Sequence, residues 1–453
     1  MISAHHPDNP STKHPFPLPW QLGHQDSRHV TSALIAALFF PSHGQQPDMC
    51  RQPTASAVET VLLPFLPDRG GGSPTVTAVR GSPSLRLPRT YAVELSSGQA
   101  LQLILPPPSI LRLLRFERSL VESEAITIRW IQSQPVPAPL PLPSLIHASH
   151  DLPNGLDSPF AFFQPCRGTP LALLAPPITP TARRSVDKHV GSLLRRLATL
   201  HSPTGGFGPA AAVIPVEESH RRIQPLGIGG PIGNGGAKTW SLAFQAMLEG
   251  ILRDSEDMAI GIPYVAARKQ FARLGHVLDG VTTPRLVVID GGEEANILVE
   301  DGVVTGLHDW STCLFGDPLF ARVFSEGDGP SEGFMEGFND SNITSTTTDA
   351  GGFTLSTPSP AVDDAENARV RVLLYGMYHA LVMVVREFYR PRVDSSRREM
   401  EGRKRLNEVL GRLAKVEVGE GKAEEEVEGE VKRVHKRGSG EMSPAKRLKD
   451  EER

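Results

Sequence analysis

Short apolar runs bounded by turn residues dominate residues 75–164, and apolar residues at helical spacing dominate residues 185–416. The strand-like runs are Thr75–Arg80, Tyr91–Leu95, Leu101–Leu105 and Pro159–Gln164. Between the third and the fourth, Leu111–Ile131 carries apolar residues at helical spacing, with charged residues between them and no proline. The pattern predicts a small antiparallel sheet accompanied by one helix.

Longer helical patterns fill most of the second half of the chain. They lie at Ser185–His201, Trp240–Asp257, Pro263–Leu278, Ala368–Tyr389 and Arg397–Val416. One apolar strand and a hairpin with an Asp-Gly turn interrupt them. The expected fold class is α+β with two lobes, a small antiparallel-sheet lobe and a larger helical lobe, with a cleft between them.

These patterns divide the chain into four parts. Residues 1–55 are rich in His, Pro, Ser and Gln without sustained periodicity, so we expect them to be disordered. Residues 56–164 form the predicted sheet lobe. Residues 165–416 form the predicted helical lobe, with a disordered insertion near residues 326–361 that holds one helical turn at Gly333–Phe338. Residues 417–453 are a charged tail that we also expect to be disordered.

Composition narrows the class of protein. The formal net charge of −4 gives no indication of a nucleic-acid or membrane partner. The three cysteines are too widely spaced for a disulfide framework or a CxxC metal site, so we expect reduced thiols. The most apolar N-terminal run, Ala33–Phe40, is too short to span a bilayer. We therefore expect a cytoplasmic protein.

The C-terminal tail leaves a second location open. Two basic clusters, Lys436-Arg437 and Lys446-Arg447-Leu448-Lys449, are typical of a nuclear-localisation signal. The Glu-rich stretch Glu424–Glu430 lies directly upstream, which equally fits an ordinary solvated charged tail.

The stretch from Pro284 to Phe320 carries the chemical signal. A short apolar strand ends at Asp290, and the following hairpin opens at Asn296 and closes at Asp309. With Asp-Gly as the two-residue turn, Asn296 faces Leu307, so Asp309 lies at the same end of the ribbon. An amide oxygen and two carboxylates then lie close together, and such oxygen ligands suit Mg²⁺. Polar residues that merely gather at the open end of a hairpin would give the same pattern.

The same stretch resembles the phosphotransferase family that contains the aminoglycoside and choline kinases. Asn296–Val299 is similar to the end of the family's catalytic loop, Leu307–Trp310 to its metal-binding motif, and Gly316–Pro318 to its closing motif. The resemblance implies a protein-kinase-like fold that binds ATP and Mg²⁺. It makes Asp290 the catalytic base and Asn296 and Asp309 the metal ligands.

The resemblance adds two residues from the sheet lobe. Arg115–Arg118, with Glu124 further on, resembles the regulatory helix, where Glu124 would pair with a lysine that holds the nucleotide phosphates. Phe160–Pro170 resembles the segment that joins the lobes, and this would place Gln164 beside the nucleotide base.

The chain departs from the family pattern on the nucleotide side. The position of the phosphate-binding lysine falls at Ile104, and no lysine lies between residues 13 and 188. The phosphate loop is reduced to Arg80–Ser84, which keeps one glycine. Glu124 then lacks its usual partner, unless Arg112 or Arg115 on the following helix reaches it.

The catalytic loop also departs from the pattern, because it is one residue longer. We place the extra residue among Gly291–Ala295. Such an insertion can displace Asp290, and a displacement of about an ångström can lower the rate roughly a hundredfold. Glu293 and Glu294 are the alternative proton acceptors.

Two functions therefore fit the sequence. An active enzyme would transfer a phosphoryl group from ATP to a hydroxyl of a small molecule. A pseudokinase would keep the fold for binding or scaffolding without efficient transfer. A replacement cation near Glu124 would distinguish them, whereas the acceptor, the nucleotide preference and the oligomeric state have no readable signature.

Overall fold

A computed structural model of the chain describes residues 52–66, 74–82, 84–135, 140–150, 152, 154–215, 235–340, 344–348, 354–358 and 362–417. Of the segments predicted to be disordered, 1–55 and 417–453, all but residues 52–55 and 417 lie outside these residues, as do the two basic clusters of the tail. Residue Ala55 begins a helix. The described residues form two lobes that meet at the hairpin predicted to carry the site.

The smaller lobe is a five-stranded antiparallel sheet with two helices. Its strands are β1 (Val76–Gly81), β2 (Arg89–Leu95), β3 (Ala100–Leu105), β4 (Ser144–Ser149) and β5 (Phe160–Gln164), in the order β1-β2-β3-β5-β4. Its helices are α1 (Ala55–Leu62) and α2 (Leu120–Ser133). The predicted sheet is thus confirmed, and β4 is an additional strand that was missed because it follows a proline-rich stretch.

The two faces of this sheet have different partners. Leu103 and Phe162 pack on the face that carries α1. Ile104 and Phe163 belong to the opposite face, which packs on α2 and on the larger lobe. Because side chains alternate along a strand, this division tells which positions of β3 and β5 are turned towards the larger lobe.

The larger lobe is mainly helical. Its helices are α3 (Pro180–Leu197), α4 (Ala210–Val213), α5 (Trp240–Asp257), α6 (Tyr264–Leu274), α7 (Glu332–Phe338), α8 (Ala368–Tyr389) and α9 (Ser395–Ala414). Within the described residues, α8 lies in the one helical segment that is long and apolar enough to cross a membrane by composition. However, 72% of the most apolar window of that segment is buried, since α8 is the core helix of this lobe.

Short strands complete the larger lobe. They are β6 (Thr169–Pro170), β7 (Gly208–Pro209), β8 (Arg285–Val288), β9 (Ile297–Glu300), β10 (Val303–Leu307), β11 (Cys313–Gly316), β12 (Thr344–Thr348) and β13 (Thr354–Pro358). Strands β9 and β10 form the predicted hairpin, with β6 beside β9. Strand β11 lies between β7 and β8 and was not predicted.

Within the region near residues 326–361, the helical turn predicted at Gly333–Phe338 is α7, whereas the strands β12 and β13 were not predicted. Helix α7 packs so closely on α3 that a side-chain carbon at Gly337 would overlap the carbonyl oxygen of Lys188. Gly191 of α3 is confined in the same way by the carbonyl oxygen of Phe334. Strands β12 and β13 pair with each other. Gly337, which belongs to this glycine-rich region, thus serves close packing of two helices.

The hairpin register differs from the prediction by one residue. Val304 faces Val299 as expected, but the ladder then skips Thr305, and Leu307 faces Ile297 rather than Asn296. The Thr305 hydroxyl donates a hydrogen bond to the carbonyl of Arg167 at 2.6 Å, which holds this bulge in place.

Candidate functional site

The open end of the hairpin brings Asn296 and Asp309 together. The backbone N–H of His308 donates to the carbonyl of Asn296 at 2.7 Å, so Asp309 lies one residue past the partner of Asn296. The side-chain amide of Asn296 donates to the backbone carbonyl of Asp290 at 3.0 Å. The bulge thus preserves the predicted neighbourhood while changing the register.

Asp309 adopts a backbone conformation that is rare for a non-glycine residue, with φ at 59°. Its carboxylate accepts hydrogen bonds from the backbone N–H of Ser311, at 3.2 Å, and from the Ser311 hydroxyl. Strained backbone of this kind persists where surrounding contacts enforce it, and it is concentrated at binding and catalytic sites.

Arg86, in the connection between β1 and β2, reaches across to the hairpin. Its side chain is 4% exposed, and Nη2 donates to the carboxylates of Glu124 and Asp309, the latter at 3.3 Å. Burial lowers the pKa of Arg86, but the two carboxylates outweigh that effect and raise it above its ordinary value. Glu124 therefore has a cationic partner, although Ile104, a buried core residue, occupies the position where the resemblance implied a lysine.

The two arginines that we considered as replacements are held elsewhere. Arg115 pairs with Asp254 and, at 2.7 Å, with Asp257. The guanidinium of Arg112 contacts the sulfur of Met258. Arg86 was missed because the sequence offered no local signal for a contact between residues 223 positions apart.

Asp290 follows β8 and is held by two neighbours. Arg322 pairs with it at 2.9 Å, and the Thr312 hydroxyl donates to its other oxygen at 3.3 Å. Burial raises the pKa of Asp290, but the charges of Arg322 and Arg386 outweigh it and bring that pKa below the usual range. Asp290 is thus an ionised carboxylate that can orient a hydroxyl and is a weak proton acceptor.

The alternative acids of the catalytic loop differ from one another. Glu293 lies 3.5 Å from Arg322, and burial raises its pKa. Glu294 instead pairs with Arg183 at 2.5 Å on the exposed side of the loop. Of the two, Glu293 is therefore the one placed beside Asp290.

Gln164 lies apart from this cluster. Gln164 is the last residue of β5 and lies two residues after Phe162, so its side chain is on the same face of the sheet, the one that carries α1. Its side-chain oxygen accepts a hydrogen bond from the side-chain amide of Gln99. The expectation that this side chain lies beside a nucleotide base gains no support from that position.

A cavity of about 320 Å³ opens next to Asp290. Its walls come from α2, α5, α8, α9 and the segment that follows Asp309, and they include Thr312 and Glu293. This volume is within the range of pockets that bind small molecules.

The candidate metal ligands at this site, Asp309 and Asn296, bind through oxygen atoms. Within the part of the chain that the structure describes, no three His, Cys, Asp or Glu side chains are grouped to hold an ion by themselves. Asp309 and Asn296 would supply one carboxylate and one amide oxygen. That donor set fits Mg²⁺, which takes few protein ligands and completes its shell with phosphate oxygens and water.

Comparisons with known proteins concern the fold. No protein-family model and no curated protein matches the sequence. A solved thermostable mutant of the aminoglycoside phosphotransferase APH(4)-Ia, in ternary complex with AMP-PNP and hygromycin B, is 14% identical, with a TM-score of 0.48 over 80% of this chain and 100% of the other. A candidate fructosamine-3-kinase from Thermobifida fusca is 16% identical, with a TM-score of 0.47 over 78% of this chain and 98% of the other.

A third solved structure, the GDP complex of aminoglycoside 2'-phosphotransferase-IIIa, is 13% identical, with a TM-score of 0.43 over 80% of this chain and 99% of the other. At such values the likeness says nothing about activity. The described residues form an antiparallel sheet lobe with two helices, beside a helical lobe that holds the hairpin. This topology is the two-lobed protein-kinase-like fold predicted from the sequence.

Proposed function

We propose that the chain is a phosphotransferase that uses ATP and Mg²⁺ to phosphorylate a hydroxyl group of a small molecule. The observation that carries the proposal is the buried Arg86, which pairs with both Glu124 and Asp309. A cation at this point stands beside the candidate metal ligands, where nucleotide phosphates need positive charge.

Each residue of the cluster then has a task. Arg86 would bind phosphate oxygens, and Glu124 would hold its guanidinium in place. Asp309 and Asn296 would hold Mg²⁺, which supplies neutralisation of phosphate charge when bound. Asp290 would orient the acceptor hydroxyl, and Arg322 keeps that carboxylate ionised. Positioning and electrostatics of this kind account for most of the catalysis in phosphoryl transfer.

A pseudokinase is the second candidate, and one observation favours it. Asp290 forms an ion pair with Arg322, and its pKa is lowered. Asp309 already forms an ion pair with Arg86. A site that is neutralised internally in this way would keep its architecture and transfer phosphate slowly.

Calorimetric titration of the full chain with ATP, with and without Mg²⁺, tests the proposal. We expect Mg²⁺-dependent binding that Asp309→Asn removes, since asparagine tolerates the same backbone conformation but lacks the charge. Arg86→Gln should weaken ATP binding at least about tenfold, because a hydrogen bond to a charged group is worth about 1.5–3 kcal/mol.

Arg112→Gln serves as the matched control, since Arg112 contacts Met258 away from the cluster, and it should bind ATP like the parent chain. Absence of ATP binding at millimolar concentration would exclude the enzyme and leave the pseudokinase. Binding with no turnover of ATP in the presence of hydroxylated acceptors would favour the pseudokinase as well.

A further inference from the structure

Arginine is the commonest charged residue in the wall of the cavity beside Asp290. Six arginines and five carboxylates line it, and together they leave one formal positive charge. The arginines are Arg115, Arg322, Arg386, Arg392, Arg398 and Arg405. The one histidine of the wall, His379, is buried, and burial lowers its pKa to about 4, so it adds no charge near neutral pH.

Every carboxylate of the wall already has an arginine partner. On one side Arg322 pairs with Asp290, Glu293 and Glu326. On the other side Glu387 is shared by two arginines of the wall, at 3.0 and 3.3 Å. The remaining acid, Asp254, pairs with Arg115. An amine entering the cavity would therefore find no carboxylate that is free.

Arg386 of α8 is in the opposite situation. Its Nε is buried without a hydrogen-bond partner among the described residues. That Nε lies 3.5 Å from Glu117, which already accepts two bonds from Arg390, at 2.6 and 2.7 Å. The two Nη atoms of Arg386 make no hydrogen bond with the described residues, so they are the donors available to a ligand. The side chain is 31% exposed, lies over the ring of Phe116, and faces the cavity. Arg386 and Asp290 line the same cavity, and the charge of Arg386 contributes to the low pKa of Asp290.

We infer that the acceptor carries an anionic group, a carboxylate or a phosphate, which Arg386 binds while the acceptor hydroxyl lies at Asp290. This inference rests on the proposed function, because it names the acceptor class of the same site. It excludes polycationic amino sugars, since they would enter a positively charged cavity whose carboxylates are all paired. A planar guanidinium with free donors matches both carboxylate and phosphate oxygens.

Four probes that share hydroxyl groups and differ in charge test the inference: glycerol, glycerate, glycerol 3-phosphate and a polycationic aminoglycoside. Binding to the full chain is measured by calorimetry without nucleotide, so the result does not depend on phosphoryl transfer. We expect glycerate or glycerol 3-phosphate to bind at least about tenfold more tightly than the other two, and their comparison tells carboxylate from phosphate.

Arg386→Gln should remove that preference, and Arg386→Lys should keep part of it. Arg397→Gln is the control, because Arg397 of α9 is 82% exposed and does not line the cavity, although its neighbour Arg398 does. Thermal unfolding of each variant shows that it is folded.

The outcomes separate the two proposals. Anion binding that depends on Arg386 without ATP turnover supports the anionic site and contradicts the phosphotransferase. ATP turnover with glycerol or the aminoglycoside as the preferred acceptor supports the phosphotransferase and overturns the anionic site. Binding of none of the four at millimolar concentration, or anion binding that Arg386→Gln leaves unchanged, overturns the anionic site too.

Discussion

Arg371 and Arg86 are both buried arginines that pair with an aspartate, but their remaining donors differ. Arg371 gives its Nε to Asp317 at 2.7 Å and its other nitrogens to the backbone carbonyls of Asp364 and Asp363, at 2.7 and 2.6 Å. Tyr375 donates to the same aspartate at 2.8 Å. All three nitrogens of this guanidinium are occupied by the protein itself.

Arg86 makes both of its ion pairs through one nitrogen. Its Nε is buried and has no hydrogen-bond partner among the described residues. A fully satisfied cluster stabilises the fold and has nothing left to offer a ligand, whereas an incompletely satisfied one retains donors for another molecule. Arg371 is therefore a structural arginine, whereas Arg86 keeps donors that make it a candidate for binding a ligand.

The largest expected effect is on Arg371. Arg371→Met leaves Asp317 buried without its cationic partner, which should lower the free energy of unfolding by about 4–5 kcal/mol. Urea unfolding measures the change, with Arg369→Met on the exposed side of the same helix as control. Equal stability of the two variants would show that the cluster does not hold the larger lobe together.

Arg86→Met should cost less, about 3 kcal/mol at pH 8, because the carboxylates left behind can be neutralised in other ways. Burial already raises the pKa of Glu124, so this group takes up a proton as the pH falls. A carboxyl whose pKa is raised in the folded state favours folding at low pH and loses that contribution as the pH rises.

The deficit of Arg86→Met should therefore shrink between pH 8 and pH 5, and millimolar Mg²⁺ should recover part of it at pH 8. Mg²⁺ should not rescue Arg371→Met, although acid should recover part of that deficit as well, because burial raises the pKa of Asp317. If Mg²⁺ has the same effect on both variants, the distinction drawn between the two clusters is wrong.

Acid should have the opposite effect at the core of the larger lobe, where it should lower the stability of the folded state. The Nε2 of His379 lies 2.9 Å from the carbonyl of Phe320, and burial lowers the pKa of His379 to about 4. Since an unfolded histidine has a pKa of about 6.5, stability should fall by about 2 kcal/mol between pH 7 and pH 5. His379→Gln should flatten that decline in urea unfolding, whereas His189→Gln at an exposed position should not.

The smallest effect is expected at Gln164. Its side chain bonds to Gln99 on the face away from Ile104 and Phe163, so Gln164→Ala should change ATP affinity less than about twofold and stability by less than about 1 kcal/mol. A tenfold loss of affinity would restore the role beside the base that the family resemblance implied.

The features that the sequence predicted are those with a local cause. Trp240–Asp257 and Ala368–Tyr389 have the expected bounds because long periodic segments constrain a helix strongly. The Asp-Gly hairpin followed from its turn residues. The bulge at Thr305 did not, because it depends on a bond to Arg167 in another segment.

The site divides in the same way. Asn296, Asp290 and Asp309 come from one continuous stretch, so their proximity could be predicted. The pairing of Arg86 with Glu124 and Asp309 joins three separate segments, and only the folded chain brings them together. The sequence showed that a lysine is missing at Ile104, but it did not show that Arg86 supplies a cation in its place.

The origin of Arg86 in a connection between strands has a consequence for how this protein can evolve. Surface connections ordinarily accept insertions and deletions with little penalty, because their length matters less than that of the elements they join. Here the length of the connection between β1 and β2 determines whether the guanidinium of Arg86 can contact Glu124 and Asp309. Length changes in this connection should therefore be as rare among natural variants as substitutions of the arginine itself.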